Sequence, residues 1–277
     1  VAGFASLVGG FDLWADFTIS AWFNTASSSR EALISTDDGN QYFTIEVNGN
    51  GVGTDVGKVT FVISDGLPAR ERYVTASRTG LNDGRWHSVV GVRRGSQIHI
   101  YIDGDRVGTT NIGAGYGGAG IGAPFVGKRG TQIPEYFFNG LADEVAIWDR
   151  ALTEAEIGQN AGGPFRTQGT GEYVSTIITN DAGPAIWQTL FWMPDAPYSK
   201  PLSVSDSTLM ALWRLEESAN PVTNLVASNN GIFNGAGWGA DGRFSRCLDF
   251  NGTSDFVTIP HDAGGRFGAD TGDEARQ

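Results

Sequence analysis

Short runs of alternating apolar and polar residues, punctuated by Asx-Gly pairs, constrain what this chain can fold into more than any other feature. The run FTISAWFN at 17–24 puts Phe17, Ile19, Ala21 and Phe23 on one face. The run QIHIYID at 97–103 does the same with Ile98, Ile100 and Ile102. Further runs are YFTIEVN at 42–48, KVTFVIS at 58–64, WHSVVGVR at 86–93 and LADEVAIW at 141–148. A period of two over four to eight residues is the signal of a half-buried strand. Asp38-Gly39, Asn48-Gly49, Asp65-Gly66, Asp83-Gly84, Asp103-Gly104 and Asn139-Gly140 supply the positive φ that tight turns need. Many strands at this spacing, with almost no helical pattern, predict an all-β chain: a two-sheet antiparallel sandwich. The exception follows Thr153, where Thr153 and Glu156 form a capping box and predict a short helix.

Composition narrows the function classes. The chain has 277 residues, 40 of them glycine, and the glycines stand mostly in turn pairs rather than in low-complexity runs. A formal net charge of -12 makes nucleic acid and anionic membrane poor partners, while it favours solubility and divalent cations. Cys247 stands alone, so it reads as a small buried apolar residue. No run is long enough for a transmembrane helix. The first residues carry no charged leader pattern, which puts any signal peptide outside this sequence.

The character changes near residue 158. Residues 159–208 read as a linker with a small β-type insert, containing EYVSTIIT, WQTLFWM and then Pro194, Pro197 and Pro201. Strand patterns return in LMALWRLE at 209–216 and in CLDFNGTSDFVTIP at 247–260, which reads as two strands around an Asn-Gly turn. Residues 261–277 read as a polar tail.

These pieces resemble a known family. DFTISAWFN, GRWHSVVGV, IHIYIDGDRVGT and above all FNGLADEVAIWDRALTEAEI are similar to the body of a laminin-G-like, concanavalin A-like jelly roll of bacterial surface or extracellular proteins. ALWRLEE and GRFSRCLDFNGTSDFVTIP resemble the opening of the same domain, so the strand order is rotated relative to the family. The resulting division is 1–158 as the body and 209–260 as opening strands. Those strands complete the body in cis or in a neighbouring molecule, or else the chain is cut across two repeats of an array. An intervening stretch of roughly 50 residues spans up to about 165 Å when extended, so reach excludes none of these arrangements.

The resemblance implies an extracellular or cell-surface setting and a non-enzymatic role. Sugar-cleaving relatives carry Glu-x-Asp-x-x-Glu on one strand, and that spacing is absent from this sequence. His87, His99 and His261 form no metal motif. Gly113, Gly115 and Gly118 satisfy G-x-G-x-x-G without a following helix, and read as a flexible loop. The resemblance also implies structural calcium, held by Asp143 near the last strand of the body and by Asp255 of the opening segment. Alternation turns Trp22, Tyr42, His99 and Tyr101 away from the core, where aromatic rings suit the faces of sugars. Arg70, Glu71, Arg72 and Arg93-Arg94 read as solvated strand ends, and Asn251-Gly252-Thr253 as a glycosylation sequon by pattern alone. Two functions follow as expectations. One is a structural or adhesive module that assembles head-to-tail into oligomers or filaments by strand complementation. The other is a carbohydrate-binding module with a glycan partner.

Overall fold

The computed structural model describes residues 16–36, 41–49, 55–66, 71–116, 124–130, 136–161, 202–239 and 242–260. The expected small β insert, the 261–277 tail, the Asp38-Gly39 turn and part of the Gly113–Gly118 loop lie outside these residues. The described residues form fifteen strands and one helix: β1 (Phe17–Asn24), β2 (Glu31–Thr36), β3 (Gln41–Val47), β4 (Val59–Asp65), β5 (Arg72–Thr75), β6 (His87–Arg94), β7 (Gln97–Ile102), β8 (Asp105–Asn111), β9 (Pro124–Val126), β10 (Asn139–Trp148), α1 (Glu154–Asn160), β11 (Leu209–Trp213), β12 (Ile232–Asn234), β13 (Gly237–Gly239), β14 (Cys247–Asn251) and β15 (Phe256–Thr258).

They build two antiparallel sheets. One runs β13-β14-β10-β1-β6-β7-β8, with β11 also on β10, and the other runs β12-β15-β9-β2-β3-β4-β5. This is the two-sheet antiparallel sandwich that the alternation predicts, and the jelly roll that the resemblance implies. The predicted inward residues Phe17, Ile19, Ala21, Phe23, Ile98, Ile100 and Ile102 all lie in the core between the sheets. Phe17 of one sheet meets Phe61 of the other edge-on, with centroids 6.2 Å apart. The β7–β8 hairpin turns on Asp103 and Gly104, at φ 51 and 78, where two positive values match the twist of the strands.

The C-terminal strands pair within the same chain. β14 occupies the outer edge of the first half of β10, from Asn139↔Asn251 to Ala142↔Leu248. β11 occupies the second half, from Val145↔Trp213 to Trp148↔Leu209. β15 joins the other sheet beside β9. Trp213, Leu248, Phe250, Val257 and Ile259 thereby enter the main core. Each contributes roughly 1.5–3 kcal/mol by burial, so removing this unit would open both sheets at once.

Two turn expectations are corrected. Asn139-Gly140 is not a turn but the start of β10. Gly140 has φ 150, and a Cβ there would stand 2.3 Å from the Asn24 carbonyl oxygen, so close approach to β1 explains the glycine. The 247–260 strands do not form a hairpin with each other. β14 lies in one sheet and β15 in the other. Between them the Asn251 side-chain oxygen accepts the N–H groups of Thr253, Ser254 and Asp255, closing a corner that carries the chain across the sandwich.

The predicted helix is present as α1. Thr153 caps it, and its hydroxyl and the Glu156 carboxylate exchange the reciprocal bonds of a capping box. The helix lies over the outer face of the larger sheet. There Val90, Val92, Tyr101, Ala146, Trp148, Ile157, Leu202 and Leu212 form a second, smaller core.

Candidate functional site

The four aromatic residues expected on an open face fall on two opposite faces. Trp22, His99 and Tyr101 project from the outer side of the larger sheet, and Tyr42 from the outer side of the smaller one. The first three are covered. Tyr101 is sealed in the second core beneath α1. His99 is buried beside it, with Nδ1 2.9 Å from the Thr109 hydroxyl, and burial lowers its pKa. Trp22 packs edge-on against Phe244 at 6.0 Å, and the Arg243 guanidinium lies 4.5 Å from its ring centroid. Alternation correctly takes these rings out of the main core, but it carries no information about α1, Leu202 and the 243–244 segment that cover them.

Tyr42 is also nearly buried, but among polar partners. The outward positions of β2, β3, β4 and β9 carry Ser35, Tyr42, Thr44, Glu46, Thr60 and Phe125, because their neighbours Phe43, Ile45, Val59, Phe61 and Val126 point into the core. Arg30 and Arg129 converge on Glu46 from the ends of β2 and β9. Arg30 donates through Nε to Oε2 at 2.9 Å, with Nη2 2.7 Å from the same oxygen. Arg129 stands further off, its Nη1 3.7 Å from Oε1. Each guanidinium also meets a tyrosine. Arg30 donates to the Tyr136 hydroxyl at 3.1 Å and stacks over that ring at 4.2 Å. Arg129 donates to the Tyr42 hydroxyl at 3.0 Å, and Tyr42 in turn donates to Glu71. Burial first, and then Glu71, hold the Tyr42 hydroxyl well above the ordinary phenol range. Burial pushes the Glu46 carboxyl up, against the pull of both arginines.

The network Tyr136–Arg30–Glu46–Arg129–Tyr42–Glu71 thus runs across the face of the smaller sheet. It continues to Lys128, whose ammonium sits 4.7 Å and 4.2 Å from the ring centroids of Phe125 and Phe256. Tyr73 on the edge strand β5 is half-exposed on the far side. Of these residues, alternation along β3 indicates Tyr42 and Glu46. Arg30, Arg129 and Tyr136 come from connections whose direction no sequence periodicity reports.

The two aspartates expected to hold calcium lie apart. Asp143 sits at the seam of β10 where β14 ends and β11 begins. Its Oδ1 accepts the Glu144 N–H at 2.8 Å, and its Oδ2 accepts those of Arg243 at 2.7 Å and Phe244 at 3.4 Å. A bulge opposite Ala21, with Glu144 at φ 48, turns Asp143 and Glu144 to the same side. Burial raises Asp143 to about 7 and Glu144 to about 8. Glu144 Oε2 accepts the Leu202 N–H while Arg214 donates to the Leu202 carbonyl, holding the backbone of that residue on both sides. Asp255 closes the β14–β15 corner, accepting from the Asn251 backbone and side-chain amide and from Ser254. Calcium takes about six to eight oxygen ligands. Here N–H and O–H donors are aimed at the carboxylates, and among the described residues no three His, Cys, Asp or Glu side chains are placed to share a metal. As arranged, these donor sets do not fit calcium.

Known proteins place the fold. The profile described as the concanavalin A-like lectin/glucanases superfamily matches residues 7–158, more than half of the chain. A search of the curated proteins finds no match. Among solved structures the chain is similar to a putative carbohydrate binding protein from Bacteroides ovatus, at 16% identity and TM-score 0.49, covering 89% of this chain and 54% of that one. It is similar to the heptameric SAP-like pentraxin from Limulus polyphemus, at 16% identity and TM-score 0.43, covering 55% and 72%. It is also similar to domains LG4-5 of the mouse laminin alpha1 chain, at 20% identity and TM-score 0.40, covering 55% and 42%. No helix among the described residues is long and apolar enough to cross a membrane. With the two-sheet sandwich and the profile match over its body, this chain belongs to the concanavalin A-like lectin/glucanases superfamily.

Proposed function

We propose that this chain is a non-catalytic, extracellular module that binds a glycan on the outer face of the smaller sheet. The observation that carries this reading is the ordered Tyr–Arg–Glu network centred on Tyr42. α1 and the chain around Leu202 overlie the outer face of the larger sheet, whereas on the Tyr42 face Arg30, Arg129 and Tyr136 keep partial exposure. Tyrosine rings offer flat apolar surfaces to sugar C–H groups, and guanidinium and carboxylate groups supply directional hydrogen bonds. The non-catalytic part rests on how the carboxylates are used. Glu46 is engaged by two arginines and Glu71 by the Tyr42 hydroxyl, and no Glu-x-Asp-x-x-Glu spacing occurs. The extracellular setting rests on the laminin-G-like resemblance. A broad glycan array probed with the wild type and with Tyr73→Ala and Arg129→Ala tests it. The expected result is a signal reduced in both variants, with an unchanged melting temperature in Tyr73→Ala. A blank array for the wild type rejects the reading.

A second reading is head-to-tail assembly by strand complementation, in which molecules trade the β11, β14 and β15 unit. The observation favouring it is that this unit fills the core and sheet edges of a body from which it is separated by a long connection. Tethering works against it, because covalent attachment holds the unit near its own body at an effective concentration on the order of millimolar. Light scattering across concentration separates the two: a constant monomer mass rejects assembly, and a mass growing with concentration supports it.

A further inference from the structure

We propose that α1 is an acid-released latch: protonation of His99 lifts the helix from the outer face of the larger sheet and uncovers the apolar surface beneath it. The helix has seven residues and buries only Ile157. A helix this short is not stable by its own hydrogen bonds, so the face below must hold it. Ile157 and Leu152 enter the second core with Val92, Tyr101 and Trp148. Arg94 of β6 donates to the Leu152 carbonyl at 2.8 Å, and Arg106 of β8 pairs with Glu154 at 3.1 Å.

His99 lies among these attachments. It stands on β7 between Val92 of β6 and Thr109 of β8, and its ring centroid is 6.4 Å from that of Tyr101. The residue is 2% exposed. Its Nδ1 meets the Thr109 hydroxyl at 2.9 Å, while its Nε2 is buried without a hydrogen-bond partner among the described residues. A neutral ring carries one N–H and no charge, and the hydroxyl satisfies one of its nitrogens. Protonation makes both nitrogens donors and puts a full charge where only that hydroxyl can accept.

The charged groups around the ring oppose protonation as well. Arg94 of β6, Arg106 of β8 and Glu154 of α1 act on it. Two cations thus face one carboxylate, and that carboxylate is 57% exposed and already paired with Arg106. His87 in the same sheet shows the contrast, with its two nitrogens 3.0 and 3.2 Å from Asp103 and Asp83. Burial first, and then the two arginines, lower the His99 pKa below the ordinary 6.5. With α1 released, water reaches the ring and restores ordinary titration. The docked form is therefore favoured above the ordinary imidazole value and loses ground as pH falls through it. Glu156, which caps α1 and meets Arg150, is held down at about 2, so the cap stays charged across this range.

Hydrogen exchange on the wild-type chain, corrected for the intrinsic rate at each pH, tests the latch. The Ile157 and Ala161 amides donate to the Thr153 and Ile157 carbonyls of the helix. They are expected to lose about ten-fold in protection between pH ~7 and pH ~5, while the β3 and β4 amides keep theirs. A dye that brightens on apolar surface follows the same transition. His99→Gln, which has no titratable ring, abolishes both responses. NMR titration of the wild-type His99 ring needs no variant, and its transition is expected below the ordinary imidazole value, together with the loss of α1 protection. Protection of α1 that is flat with pH, a loss that persists in His99→Gln, or a His99 ring that titrates above the ordinary value overturns the proposal.

Discussion

Arg129 donates a 3.0 Å hydrogen bond to the Tyr42 hydroxyl while its guanidinium carbon lies 5.1 Å from the centroid of the same ring. The pair links the end of β9 to β3, two strands away in the sheet, and fixes the tyrosine at the centre of the outer face. Its support is Glu46, which both arginines approach from above.

Glu46→Ala is therefore expected to cost stability as well as binding. It leaves two partly buried guanidinium groups without their shared anion, a loss of about 2–4 kcal/mol. Urea denaturation measures it. A variant as stable as the wild type would mean that Glu46 does not hold the arginines in place.

Trp22→Ala and Tyr101→Ala are expected to act on the fold, not on a ligand. Tyr101 has no exposure and Trp22 only 8%. Truncating a large buried side chain costs about 3–5 kcal/mol, or a fall in Tm on the order of 10 °C in a chain of this size. Differential scanning calorimetry decides the matter. Lost glycan binding at an unchanged Tm would instead assign these rings to a binding surface.

Asp143 is expected to stabilise the seam between β14 and β11 as a hydrogen-bond acceptor. Asp143→Ala strips the Arg243 and Phe244 N–H groups of their acceptor and costs about 2–4 kcal/mol. Because the donors around it do not suit calcium, EDTA and added calcium leave the wild-type Tm unchanged. A Tm that falls in EDTA and recovers with calcium would show that the metal reorganises the seam.

Stability is expected to fall as pH rises from about 5 to about 8. Burial raises the Glu31 carboxyl to about 7, so between the ordinary carboxylate range and 7 the folded chain keeps a proton that the unfolded chain releases. That term favours folding at low pH and is lost as pH climbs through the window. His87 acts in the same direction. Although burial opposes the charged ring, Asp103 at 3.0 Å and Asp83 at 3.2 Å raise its pKa, and the stability gained on protonation disappears above that pKa. His99, whose pKa is lowered, works the other way. Thermal melts across pH should show a slope that becomes shallower in Glu31→Gln, and a slope unaltered by that change would exclude Glu31 as its source.

The all-β class, the inward face of each long strand and the capped helix were legible in the sequence. A strand's side chains alternate with period two, and a helix cap is written in four adjacent residues. FTISAWFN and QIHIYID each specify which residues meet the core, and Thr153 with Glu156 specifies where α1 begins. What covers the outward residues is a property of distant segments. Period two places Tyr42 and Tyr101 alike off the core, yet one lies in an arginine network on the smaller sheet and the other under α1. The β10 seam is likewise tertiary. Local pattern marks LADEV as strand, but that Asp143 receives N–H groups from residues 243 and 244 depends on β14 and β11 dividing one edge between them. Sequence by itself determined the strands and their inner faces, because those follow from local geometry. Only the tertiary structure decided which outer face lies under α1 and which carries the arginine network, because that depends on contacts between residues far apart in the chain.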